Sequence, residues 1–319
     1  MKMPFACSHL RLLAVGLMMG IFGAFAQVTE DAPKSTGAKE ATGSGAAKTS
    51  HRIEQLHSSI LGEERRALVR LPRHYDSDTS ARYPVLYKLD GDDGLRRYEE
   101  SIDILTSLDA MPDLIVVVIP NARGQRNRDM TPSRLHQEFD ATGKMGTGEM
   151  GRGDRFLEFL EHELVPQIER RYRTASPRIL AGHSRSALLV VDSLISKPDL
   201  FQARFVFSAP LLRDERRLLT DARTFLAAHP GHRSFIYFNW GEAENDGMAQ
   251  SYAAMRELLQ HVAPKGLRWV VERARGANHQ DTPLRAVPAA LYESFQDWRA
   301  AENSVSPTNR TARWASGSK

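Results

Sequence analysis

Cysteine is nearly absent: the 319 residues hold one, Cys7. It precedes an apolar run from Leu12 to Phe25, so it is no lipid acceptor at a cleavage site, and no disulfide framework is available. The fold must be held by its core alone. Long basic runs are missing too. The formal net charge is +4, and subtracting Lys2 and Arg11 of the leader leaves +2, too little to imply a nucleic-acid partner. Regular cation-loop spacing is absent around Asp90, Asp92 and Asp93, so neither a metal nor a cofactor is expected. A full G-x-S-x-G is also lacking, as is any added segment that would screen peptides.

The N-terminus reads as a targeting element. Lys2, His9 and Arg11 flank the apolar run, and Ala24-Phe25-Ala26 gives a small-x-small cleavage signature before Gln27. Residues 1–26 are therefore expected to be a signal peptide, too short and wrongly flanked for a membrane span, with export to a periplasm or the exterior. Residues 27–50, rich in Gly, Ala, Ser, Thr and Lys, are expected to be a disordered linker, and 303–319 a flexible tail. Residues 51–302 suit one α/β domain.

Leu114 to Pro120 is a β-branched run without alternation, as expected of a strand buried on both faces of a parallel sheet. Similar runs occur at Tyr83–Asp90, Ile179–His183, Ala203–Ala209, Ser234–Trp240 and Arg268–Arg273, and Ile53–Pro72 reads as one or two antiparallel strands. Apolar residues at helical spacing fill gaps, from Phe156 to Ile168, Tyr252 to Val262 and Val287 to Trp298. Alternating strands and helices predict a mainly parallel sheet covered on both faces, with reactive groups on loops at the strands' carboxyl ends.

The run Arg178-Ile179-Leu180-Ala181-Gly182-His183-Ser184-Arg185-Ser186 carries the chemistry. An apolar strand breaks at glycine, presents Ser184 on a tight turn and passes into an apolar helix. Ser186 stands where a second glycine is usual. A serine hydroxyl needs a base, an orienter for that base, and donors for the developing oxyanion. His279 is the histidine in the loop after the last strand. The loop after the preceding strand offers Glu244, then Glu242, then Asp246 as the acid. Oxyanion donors would be the N–H of Arg185 and one from Gly91 or Asp92. Arg123, Arg126 and Arg128 could pair with an anionic substrate, or could instead tie their own loop to local acids.

These residues resemble the esterase branch of the α/β-hydrolase fold, which includes enterochelin and other siderophore esterases, feruloyl esterases and S-formylglutathione hydrolase. Tyr83 to Asp92 is similar to that branch's first central strand and oxyanion loop, Asn121–Pro132 to its next loop, and Gly153–Thr174 to the helix before the nucleophile strand. The chain order serine, acid, histidine also fits. The resemblance spans roughly residues 52–298 and implies Ser184 as nucleophile, His279 as base and a small-molecule ester as substrate. It departs at Arg185-Ser186, where the family has a small or aromatic residue followed by glycine. A silent ligand-binding homologue and an acyltransferase are the alternative readings.

Overall fold

Ile115-Val116-Val117-Val118 sits in the interior of an eight-stranded sheet, with every one of its side chains buried. The computed structural model describes residues 51–139, 145–147 and 151–304. The expected signal peptide and linker, and nearly all of the expected tail, lie outside them.

The chain enters through β1 (His51–Ser58) and β2 (Glu63–Arg70), an antiparallel pair closed by a turn at positive-φ Gly62. Next come β3 (Tyr83–Lys88), α1 (Leu95–Ser107), β4 (Ile115–Val118) and the short α2 (Arg126–Met130). A two-stranded ribbon follows, β5 (Gln137–Phe139) with β6 (Met145–Thr147). The expected helix over Phe156–Ile168 is α3 (Gly153–Phe159) and α4 (Val165–Arg171), joined by a π-helical turn, Leu160–Leu164. Strand and helix then alternate: β7 (Thr174–His183), α5 (Arg185–Ser196), β8 (Ala203–Phe207), α6 (Arg213–Ala228), β9 (Ser234–Gly241), α7 (Asp246–Val262), β10 (Leu267–Ala274), α8 (Asp281–Ser294) and α9 (Gln296–Ser304).

Strand order is β1-β2-β4-β3-β7-β8-β9-β10. β2 runs antiparallel to both β1 and β4, and the other neighbours are parallel. From β3 the chain steps outward to β4, whereas from β7 it steps the opposite way to β8. Right-handed crossovers then put α1 and α5 on opposite faces. α8 packs beside α1, and α6 beside α5. The order reverses between β3 and β7, and the crevice beyond their carboxyl ends is where such sheets place ligands. Asp90–Asp92 and Ser184 follow those two strands.

Candidate active site

Ser184 occupies φ 58°, ψ −117°, between the end of β7 and the first residue of α5. For a non-glycine residue such backbone costs about 1–3 kcal/mol and persists only where its surroundings enforce it. Several contacts do so. The Ser184 N–H donates to Phe207 O at 2.9 Å, and Ala187 N–H to Ser184 O at 3.1 Å. A Cβ on Gly182 would stand 2.8 Å from the Ser186 carbonyl carbon and oxygen, so only glycine lets strand and helix approach this closely. α5 is buried from Ser186 to Leu194, which fixes the helix beneath the turn. Its first-turn N–H groups, Arg185's included, point from the positive end of the helix dipole.

The departure at Ser186 has a structural explanation. Its hydroxyl accepts from His183 N–H at 2.8 Å and donates to Asp90 Oδ2 at 2.6 Å. Asp90, itself at φ 63°, also accepts from Asn121 Nδ2 at 2.9 Å and from both nitrogens of the Arg126 fork at 2.7 and 2.9 Å. Burial works to raise the Asp90 pKa, but Arg126, Ser186 and Asn121 together hold it below the ordinary carboxylate value.

Glu244 Oε2 lies 2.6 Å from His279 Nδ1. The other carboxylate oxygen accepts from Ser208 Oγ at 2.6 Å, Gly241 N–H at 2.6 Å and Thr282 Oγ1 at 3.1 Å. The Glu244 side chain is 3% exposed. Its burial penalty is outweighed by these donors, chiefly His279 and Ser208, so its pKa falls below the ordinary value. A carboxylate facing Nδ1 holds the proton there and leaves Nε2 with its lone pair, the tautomer a general base requires. Gly241 makes the approach of the two loops possible, since a Cβ there would lie 2.3 Å from Ala277 O and 2.5 Å from Thr282 Oγ1.

The rival acids have other partners. Glu242 is exposed, accepts from Gly276 N–H at 2.9 Å and pairs with Arg273 at 3.2 Å. Asp246 sits in the first turn of α7, where the helix dipole favours an acid.

No hydrogen bond joins Ser184 Oγ to the imidazole among the described residues. The link between the two loops is His183, whose Nε2 lies 2.7 Å from His279 O and whose ring centroid is 4.6 Å from that of His279. Such couples are often longer before substrate arrives. His183 itself is pushed down to about 4, by burial first and then by His279.

Three expectations change. The Gly91 N–H donates to Ile119 O at 2.9 Å, so this group is spent on the sheet edge and cannot serve an oxyanion. Asp92 remains as the candidate from that loop, beside Arg185. Arg126 holds Asp90 through Nε and Nη2, and Arg128 grips Glu63 (2.6 Å) and Asp129 (2.7 Å), so both are engaged by acids of the protein itself, the second of the two readings above. Arg123 alone of the three is exposed. Composition had not revealed His183, Ser208, Thr282 and Asp90 as parts of the site. The one signal was Ser186 itself, a hydroxyl where glycine is usual.

No helix among the described residues is long and apolar enough to cross a membrane. Residues 58–300 match the protein family described as "Putative esterase". Among curated proteins, the chain is 27% identical over 197 residues to the ferri-bacillibactin esterase BesA of Bacillus subtilis, covering 57% of this chain and 68% of that one. It is 29% identical over 145 residues to the apo-salmochelin esterase of Escherichia coli, covering 43% and 45%, less than half of that relative. Among solved structures, an IroE-like serine hydrolase from Shewanella oneidensis superposes with a TM-score of 0.66 at 25% identity, over 77% of this chain and 78% of that one. With the eight-stranded sheet and with a match over most of its length, the chain belongs to this esterase family of the α/β-hydrolase fold.

Proposed function

We propose that the protein is an exported serine esterase in which Ser184, His279 and Glu244 act as a triad on a carboxylic ester. The observation that carries this reading is the 2.6 Å pair between His279 Nδ1 and buried Glu244, on loops that follow β10 and β9 at the edge where Ser184 stands. His279 Nε2 takes the Ser184 proton as Oγ attacks the acyl carbon, then returns it to the leaving alkoxide. Water attacks the resulting acyl-enzyme with the same assistance, releasing the acid and restoring Ser184. The N–H groups of Arg185 and Asp92 hold the oxyanion in both tetrahedral intermediates.

Siderophore esters are the first substrate class to try, because the curated relatives carry that activity in their names. Export rests on the leader read in residues 1–26. The test is labelling with a fluorophosphonate followed by intact-mass measurement. One adduct on the wild type, absent in Ser184→Ala, together with loss of ester turnover in that variant, is expected. Unchanged turnover in Ser184→Ala would end the reading. Labelling-negative but folded protein that is stabilised by ligand would instead favour a silent binding homologue.

A further inference from the structure

Lys88, the last residue of β3, is 3% exposed, and among the described residues its hydrogen bonds go to backbone carbonyls rather than to a carboxylate. Its Nζ donates to Gly91 O at 2.7 Å and to Leu89 O at 3.2 Å, and lies 5.5 Å from the centroid of the Tyr98 ring of α1. Its amine is thus spent on the backbone of the loop that follows its own strand. An ammonium ion is costly to bury. Its pKa falls to about 8 because of that burial, with Asp90, Asp92 and Asp93 opposing the fall.

The geometry of the peptide gives this contact a consequence. In a trans peptide the C=O of one residue and the N–H of the next point in opposite directions. The Gly91 carbonyl is aimed inward at Lys88, so the Asp92 N–H is aimed outward. Gly91's own N–H, in the preceding peptide, is tied to Ile119 O, so Gly91 is held at both ends and the peptide planes on either side of it are both fixed. β3 and β7 are in register with Lys88 opposite Ala181, and Leu89 N–H donates to Ala181 O at 3.0 Å. Asp92 and Ser184 therefore follow adjacent strand ends, four and three residues past the paired positions. Asp90 is clamped to Ser186 on the far side of the loop.

We propose that Lys88 is a positioning residue for the oxyanion site: by holding Gly91 O it turns the Asp92 N–H toward the acyl carbonyl on Ser184. This rests on the serine-esterase reading above. Lys88 touches no reacting atom and acts through the backbone.

The test compares wild type, Lys88→Met, Lys88→Gln and Ser184→Ala, with p-nitrophenyl butyrate as substrate and an aryl trifluoromethyl ketone as a tetrahedral-adduct inhibitor. Methionine matches the length of the stem but donates nothing, whereas glutamine keeps one donor without charge. In Lys88→Met, kcat is expected to fall roughly tenfold or more, because an oxyanion donor is misaimed. KM should stay within about threefold, the ketone should weaken by the same factor as kcat/KM, and the melting temperature should not fall. Lys88→Gln should recover most of kcat. The proposal is overturned if Lys88→Met keeps wild-type kcat and ketone affinity. It is equally overturned if its loss tracks a fall in melting temperature and Lys88→Gln is no better. If Ser184→Ala still turns over the ester, the esterase reading itself fails. With Ser184→Ala inactive and Lys88→Met unimpaired, only the role of Lys88 fails.

Discussion

Mild acid should weaken this protein through His183. The imidazole is pushed down to about 4 by burial and by neighbouring His279, against smaller opposing contributions from Asp90 and Glu244. An unfolded histidine titrates near 6.5. The folded-state value is depressed, so the unfolded chain binds the proton more readily. Stability is complete above pH 6.5 and is lost as pH falls toward 4. For a shift from 6.5 to about 4, linkage gives about 2 kcal/mol lost at pH 5 and roughly 3 kcal/mol once both states are protonated. Glu244 and Asp90, held below their ordinary 4.5 and 3.8, lose their contributions at lower pH. His232, lowered by burial, adds a loss of the same sign, while Asp113, Asp192 and Glu272, raised by burial, act in the opposite sense, so the His183 share is read as the difference between wild type and a His183 variant. The assay is urea denaturation of wild type and His183→Gln at pH 7.5 and pH 5. Glutamine can still donate to His279 O but does not titrate. Wild type should lose about 2 kcal/mol more than the variant between the two pH values. Parallel losses in the two proteins would refute the assignment.

Further outcomes follow from the same geometry. Glu244→Gln should lower kcat by roughly 10³–10⁴-fold with little change in KM, since it disturbs the tautomer and orientation of His279, whereas Glu242→Ala and Asp246→Ala should retain activity within about threefold; steady-state kinetics on one ester separates the three. Arg126→Ala should destabilise by about 2 kcal/mol in chemical denaturation, because Asp90 loses its fork inside the loop, while Arg123→Ala should stay within about 0.5 kcal/mol. Gly182→Ala should cost about 3 kcal/mol or abolish soluble expression, because its Cβ meets Ser186 backbone at 2.8 Å.

The features legible in the sequence were those written in local pattern. Parallel strands show as apolar runs without alternation, so β4, β7, β8, β9 and β10 are legible, and with them the loops that carry Ser184, Glu244 and His279. The helix α1 is not legible, because Leu95, Tyr98, Ile102 and Leu105 are spaced among five charged residues directly after a turn-like loop. The π-helical turn at Leu160–Leu164 was also invisible, since its apolar positions repeat as an ordinary helix would. Partners across the fold are the hardest case. Arginine chemistry says that Arg126 and Arg128 can bind anions. Only the packing of β2, β3 and α2 decides that the anions are Asp90, Glu63 and Asp129.

Ser186 shows what the missing glycine is exchanged for. A glycine there would leave the strand and helix free to touch, but it would supply no group to the loop opposite. The serine hydroxyl instead spans His183 N–H and Asp90, and Asp90 is the residue immediately before the Gly91 peptide that Lys88 holds. Arg126 closes the arrangement by gripping Asp90 and reaching His183 O at 3.4 Å. The strained turn of Ser184 and the loop bearing the Asp92 N–H are therefore braced by one network rather than packed separately. Because the strain at Ser184 costs about 1–3 kcal/mol, a brace of three hydrogen-bonded side chains is of the right size to maintain it. The same reasoning makes the departure from G-x-S-x-G a change in how the turn is held, with Ser184 left in place.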